Sequence, residues 1–239
     1  MSMLSSRQQI RLIHAHCMQH LREHAAQIDD EALWLPFHRR LSEHIGHLVT
    51  ELSAVYGQRE DFLEVVTQVV HTAWKAWCSR PADLRALDLR READPDWFQS
   101  HRMLGAVCYA DLQCGDLSGV RREIPYLKEL GVTYLHIMPP FKCPEGQSDG
   151  GYAVSSYREV NPALGTLKDL QALAQDLRQA GISLVLDFIF NHTSDEHEWA
   201  RRCVAGDPAY KDFYILFPDR TLPDAYDRTV REIFPDQHP

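Results

Sequence analysis

The clearest chemical signal in this 239-residue sequence is a polar cluster at the end of an apolar run. Residues 182–189 are apolar almost without a break, a pattern typical of a parallel β-strand buried on both faces. Asp187, Asn191 and His192 lie at and just beyond the end of this run. In parallel α/β folds, polar groups at the carboxyl ends of strands meet the substrate. The pattern therefore predicts a binding or catalytic edge here.

A second cluster lies in the long segment 139–164, a length that is usually functional inside a compact domain. Asp149, two glycines and Tyr152 follow one another within five residues. A carboxylate accepts paired hydrogen bonds from adjacent sugar hydroxyls, and an aromatic face covers the apolar side of a pyranose. The residues alone favour a sugar site and a turn with a solvated aspartate equally.

Two further groups have a structural alternative that we prefer. His16, His20 and His24 share a helix face and could bind a metal, but no fourth ligand stands out, so a solvated face is favoured. Residues 195–198 read Asp-Glu-His-Glu and could form an acid/base cluster. A helix start, where the helix dipole favours acidic residues, is the preferred interpretation.

The predicted secondary structure that would position these residues is not the same throughout the chain, and it divides the chain into two parts. Residues 1–94 have apolar residues at three- and four-residue spacing, which predicts a helical domain. We expect its helices over residues 7–27, 41–56 and 61–77, with breaks at Trp34–Pro36 and Ser79–Pro81.

Residues 95–192 predict an α/β fold with a parallel sheet. We expect strands over residues 104–110, 132–138 and 182–189, and helices over 117–130 and 167–180. Thr166 and Asp169 predict a capping box, and Gly131 and Gly181 predict left-handed helix ends. Loops that follow neighbouring parallel strands lie side by side, so Asp149, Tyr152 and His192 are expected to line one cavity.

The composition of the chain indicates which partners and which cellular compartment to expect. The net charge of −9 argues against a nucleic-acid partner. The N-terminus has no apolar stretch of signal-peptide length, and no run approaches the roughly 20 apolar residues that span a bilayer. The six cysteines form no Cys-x-x-Cys pair, which favours reduced thiols. We therefore expect a cytoplasmic protein without a membrane partner.

Two segments resemble the α-amylase superfamily. DFIFNH, residues 187–192, resembles its first signature region, and SDGGYAVSSYREVNPALGT, residues 148–166, resembles its second βα loop. Within the superfamily, the helical N-terminal part and the CPEG segment at 143–146 are most similar to the amylosucrase family.

This resemblance implies a helical domain at 1–94, the first three β/α units of a (β/α)8 barrel at 95–192, and the start of an inserted domain at 193–239. The chain would be the N-terminal part of a larger enzyme; a complete open α/β domain with a helical prefix is the alternative.

The implied enzyme is a retaining glucosyltransferase that moves glucose from sucrose to an α-1,4-glucan and releases fructose. Sucrose, the glucan acceptor and the remainder of the polypeptide are the implied partners, and no cofactor or metal is expected. The family's nucleophile and general acid come from later strands, so no catalytic residue is assigned in this chain, and the chain alone is expected to be inactive.

The resemblance also implies roles for individual residues. His192 would hydrogen-bond the glucosyl ring, Tyr152 would stack on it, and Asp149 would close the bottom of the pocket with a distant arginine. Asp187 and Asn191 would be structural. Arg228 and Arg231 are candidates for an acceptor site or for exposed surface.

Three other functions stay open. A sucrose hydrolase and an enzyme that forms trehalose or sucrose isomers would differ from the transferase mainly in acceptor loops. A non-catalytic sugar-binding module would use the same loops without chemistry.

Overall fold

The computed structural model describes residues 6–146 and 148–230 of the chain. The described residues fall into two compact units that separate between Pro95 and Asp96. Among them, no helix is both long enough and apolar enough to cross a membrane.

The first unit contains helices only. They are α1 (Ser6–His24), α2 (Glu31–Tyr56), α3 (Phe62–Ser79) and α4 (Ala82–Ala93). Its core forms around the buried Trp74, whose ring meets Phe37 edge to face at 5.1 Å and whose indole nitrogen donates to the Ala26 carbonyl. This core explains the helical spacing of apolar residues in the sequence.

The predicted break at Trp34–Pro36 is wrong, because α2 runs through it. Pro36 removes one backbone donor from the helix, but the buried side chains of Leu33 and Phe37 on either side pack into the core. Packing therefore outweighs the helix-breaking tendency of proline here. The predicted break at Ser79–Pro81 is confirmed, since α3 ends and α4 begins there.

The second unit is built on a parallel sheet of three strands. They are β1 (Gly105–Cys108), β2 (Tyr134–Ile137) and β5 (Ser183–Leu186), in the order β1-β2-β5. The strands and their parallel pairing follow the prediction, although each is shorter than expected. Helices α5 (Ala110–Cys114), α6 (Leu117–Arg122), α7 (Ile124–Glu129) and α8 (Leu167–Gln179) connect them.

The helices and one face of the sheet share a core. Leu135 and Ile137 of β2 are buried in it beside Leu173 and Leu177 of α8. Side chains alternate along a strand, so His136 and Val107 point to the opposite face. Val107 is 64% exposed whereas His136 is 25% exposed, so this opposite face is partly uncovered in the part of the chain that the structure describes.

The helix expected over residues 117–130 is two helices, α6 and α7, which meet at Glu123. Pro125 is in the first turn of α7, where a missing N–H is tolerated and a new helix starts readily. The capping box is confirmed: Thr166 accepts from the Asp169 backbone, and the Asp169 carboxylate accepts from Thr166. Gly131 and Gly181 have the predicted positive φ, at 81° and 79°.

The segment after β2 contains a hairpin that the sequence analysis missed. Strands β3 (Phe141–Lys142) and β4 (Ser156–Val160) pair antiparallel and hold the 148–152 turn between them. Beyond β5 the described residues form α9 (Glu198–Val204), α10 (Pro208–Lys211) and α11 (Thr221–Asp227). Up to residue 230 no strand follows β5.

Candidate functional site

The side chain of Asp187 connects two strands and the 148–152 turn. One of its oxygens is 2.7 Å from His136 Nε2, and the other accepts a 2.9 Å hydrogen bond from the Tyr152 hydroxyl. The side chains of His136 and Asp187 are only 25% and 21% exposed. A carboxylate that directly follows β5, an imidazole from β2 and a phenol from the intervening loop thus meet at the carboxyl end of the sheet.

Strand register explains this meeting. His136 of β2 is paired with Val185 of β5, and Asp187 lies two residues beyond Val185. Residues two apart point to the same face of a sheet, so Asp187 and His136 share the partly uncovered face. The backbone N–H of Asp187 also donates to the carbonyl of Ile137, which extends the pairing of the two strands.

The 148–152 turn has a backbone that depends on its residue types. Asp149 has φ +51°, and Gly151 has φ +92°. A Cβ at Gly151 would lie 2.7 Å from the Pro139 carbonyl oxygen, so only glycine fits there. This turn directs Tyr152 towards Asp187, while Asp149 stays exposed. Burial, together with the bond to Asp187, raises the pKa of Tyr152 to about 12, so its hydroxyl stays protonated at neutral pH.

His192 lies in a different setting, an open groove of about 750 Å³. The Tyr157 hydroxyl donates to the carbonyls of Ile189 and His192, at 2.5 and 3.2 Å, and fixes the backbone that carries His192. The side chain of His192 is exposed and contacts Asn191 at 3.2 Å. The residues that line the groove are mostly aromatic or polar: Ser155, Ser156, Tyr157, Arg158, Phe188, Ile189, Phe190, Asn191, His192, Thr193, His197, Glu198, Trp199, Phe213 and Tyr214.

The expected convergence of Asp149, Tyr152 and His192 in this groove is not found. His192 lines it, whereas Asp149 and Tyr152 are absent from its walls. The side chains of Tyr152 and Tyr157 have different hydrogen-bonding surroundings: Tyr152 donates to Asp187, while Tyr157 donates to the backbone carbonyl of His192. Of the two acceptor-side candidates, Arg228 is exposed and Arg231 lies outside the described residues.

The histidine cluster of residues 16, 20 and 24 agrees with the expected solvated helix face only in part. His16 and His24 are exposed as expected, but His20 is half-buried and contacts His71 at 2.9 Å. Within the described ranges, no group of three or more histidine, cysteine, aspartate or glutamate residues has a geometry that could hold a metal ion.

The acidic segment 195–198 leads into a helix, as preferred. His197 caps α9 by accepting from the Trp199 N–H, and Glu198 lies in its first turn. Burial lowers the pKa of His197, which favours the neutral ring that this cap requires.

Sequence reasoning missed His136. The available signal was a polar residue in the middle of an apolar strand, Tyr134–Ile137. Its partner could not be inferred from spacing, because Asp187 is 51 residues away.

Comparisons with known proteins agree with this architecture. Residues 90–237 match the family model of the α-amylase catalytic domain. Maltase 1 of Drosophila virilis is 43% identical over 101 residues, 42% of this chain and 16% of the maltase. Oligo-1,6-glucosidase of Parageobacillus thermoglucosidasius is 38% identical over 109 residues, 44% of this chain and 19% of that enzyme.

A solved structure, the trehalulose synthase MutB from Pseudomonas mesoacidophila MX-45, is 34% identical with a TM-score of 0.44, over 48% of this chain and 22% of MutB. The matched segments span between 16% and 24% of the length of the curated relatives. Because the family model covers more than half of the sequence, this chain belongs to the α-amylase family, and its second unit is a partial TIM-barrel-type α/β fold.

Proposed function

We propose that the protein acts on α-glucosidic bonds as a retaining glucosyltransferase with sucrose as its glucosyl donor. The observation that carries this proposal is the Tyr152–Asp187 hydrogen bond at the carboxyl end of the parallel sheet of an α-amylase family member. The choice of sucrose is supported by the helical N-terminal part and the CPEG segment at 143–146, which are most similar to the amylosucrase family.

In this proposal the residues of the chain bind and orient the donor. The ring of Tyr152 stacks on the apolar face of the glucosyl unit, and the Asp149 carboxylate accepts hydrogen bonds from its hydroxyls. His192 hydrogen-bonds the same unit, which requires its exposed side chain to turn towards the Tyr152 loop. Retaining chemistry further needs a carboxylate nucleophile and a carboxylic acid about 5 Å apart, and we assign neither role within residues 1–239.

A hydrolase is the second candidate, and the names of the relatives favour it. Maltase 1 and oligo-1,6-glucosidase are named as glycoside hydrolases, and both are about 40% identical to this chain over the matched segments. Transfer and hydrolysis share the first chemical step, and they differ in whether a sugar hydroxyl or water takes the glucosyl group.

A product assay separates these candidates. The protein that carries this chain is incubated with sucrose, maltose or isomaltose, with and without an α-1,4-glucan, and free glucose and fructose are measured. The proposal predicts that sucrose yields fructose in excess of glucose, and that added glucan increases this excess. Equal release of both sugars would favour a sucrose hydrolase, turnover of maltose alone would favour an α-glucosidase, and no turnover of any substrate would contradict the proposed activity.

A further inference from the structure

Both oxygens of the Asp187 carboxylate are engaged by side chains of this chain. His136 Nε2 binds one oxygen at 2.7 Å and the Tyr152 hydroxyl binds the other at 2.9 Å. A carboxylate only accepts hydrogen bonds, so Nε2 of His136 carries the proton in this contact. The three side chains therefore form a linear hydrogen-bonded series, with His136 at one end, Asp187 in the middle and Tyr152 at the other end.

This series of hydrogen bonds restrains the Tyr152 ring. A carboxylate that is held at one oxygen cannot rotate freely, so the acceptor offered to the Tyr152 hydroxyl has a fixed position. The tyrosine then has its ring fixed at both ends, by the backbone of the 148–152 turn and by its hydroxyl. A ring that must present one face to a sugar loses less conformational entropy on binding when it is held in this way.

The location of His136 favours such a role over a purely structural one. It lies on the partly uncovered face of β2, while its strand neighbours Leu135 and Ile137 fill the core on the other face. Apolar packing on that face would not require a polar side chain, whereas an anchor for Asp187 requires an N–H donor such as Nε2 of His136. Burial raises the pKa of Tyr152 most and the bond to Asp187 raises it further, which agrees with a carboxylate held in place beside the phenol.

We propose that His136 is a positioning residue for sugar binding, which holds Asp187 so that Asp187 holds the Tyr152 ring in its stacking orientation. The sugar-binding part of this inference rests on the function proposed above. The restraint on Tyr152 does not rest on that function, and it can be tested separately.

The test compares two replacements of His136. His136→Gln keeps an N–H donor near the position of Nε2, and His136→Leu removes the donor at similar size. The protein is labelled with tyrosine carrying ¹³C at Cζ, the Tyr152 signal is assigned with Tyr152→Phe, and its titration is followed by NMR up to pH 11. Wild type and His136→Gln are expected to keep Tyr152 protonated throughout. In His136→Leu the pKa of Tyr152 is expected to fall below that of the wild type, because the contribution of the Asp187 bond is lost while that of burial remains.

An unchanged Tyr152 titration in His136→Leu would overturn the proposal, and so would a His136→Gln variant that behaves like His136→Leu. If His136→Leu does not fold, as judged by circular dichroism, His136→Met serves as the variant without a donor.

Enzyme kinetics on the same variants complete the test. With whichever α-glucoside the protein turns over, His136→Leu is expected to lower kcat/KM at least tenfold, and His136→Gln at most threefold. Wild-type kinetics in a His136→Leu variant whose Tyr152 pKa has fallen would overturn the positioning role. If no α-glucoside is turned over even by the wild type, the proposed function fails, while the titration still decides whether His136 orders Tyr152.

Discussion

The backbone angle φ of Asp149 limits which substitutions can test its proposed role in sugar binding. Its φ of +51° lies in the left-handed region, which asparagine and aspartate tolerate better than other residues with a Cβ. Its side chain is exposed, and it lies in the same 148–152 turn as Tyr152. Asparagine therefore keeps both the shape and the backbone of the turn while it removes the charge.

Asp149→Asn is expected to lower the turnover of an α-glucoside about 10- to 100-fold. Hydrogen bonds to a charged group contribute about 1.5–3 kcal/mol, and about 1.4 kcal/mol corresponds to a factor of ten. The midpoint of urea unfolding should stay close to that of the wild type, because the exposed carboxylate is not part of the core. Steady-state kinetics and urea unfolding check the two expectations. Wild-type kinetics in Asp149→Asn would assign this residue to the turn and not to the sugar.

At the scale of elements, the 148–152 turn determines where Tyr152 can reach. Gly151 is buried, has φ +92°, and would place a Cβ 2.7 Å from the Pro139 carbonyl oxygen. Gly131 ends α7 with a similar φ of +81°, but a Cβ there would meet no atom within 4 Å. The two glycines therefore separate the effect of a steric clash from that of a positive φ.

Gly151→Ala is expected to destabilise the second unit more than Gly131→Ala does. A positive φ costs an alanine about 1–2 kcal/mol, and forcing a methyl group against the backbone adds about 1–3 kcal/mol. Urea unfolding followed by tryptophan fluorescence would report both variants. Equal destabilisation would show that the turn yields easily and does not fix Tyr152.

The same elements show what the sequence could and could not predict. The three strands and the Thr166 capping box followed from local patterns, because periodicity and caps involve residues close in sequence. The contact of His136 with Asp187 joins residues 51 apart and depends on strand register, which local patterns do not determine. The hydrogen bonds from Tyr157 to the backbone of Ile189 and His192 also join residues more than 30 apart, so local patterns did not predict them either.

At the scale of the whole molecule, the described residues of the second unit leave one sheet face partly uncovered. Parallel sheets are normally buried on both faces, yet Val107 of β1 is 64% exposed. The proposed sugar-binding residues lie at the carboxyl end of this sheet. We therefore expect that the loop end of the sheet, and not the outer helices, binds the glucosyl unit.

Binding of sucrose to two tyrosine variants tests this claim most directly. Tyr152→Ala removes the ring from the 148–152 turn, and Tyr126→Ala removes a 56% exposed ring from the helix α7 as a matched control. Sucrose affinity is measured by NMR titration of the protein that carries this chain and of both variants. The account predicts that Tyr152→Ala weakens sucrose binding at least tenfold while Tyr126→Ala leaves it unchanged. Equal affinities in Tyr152→Ala and the wild type would contradict it.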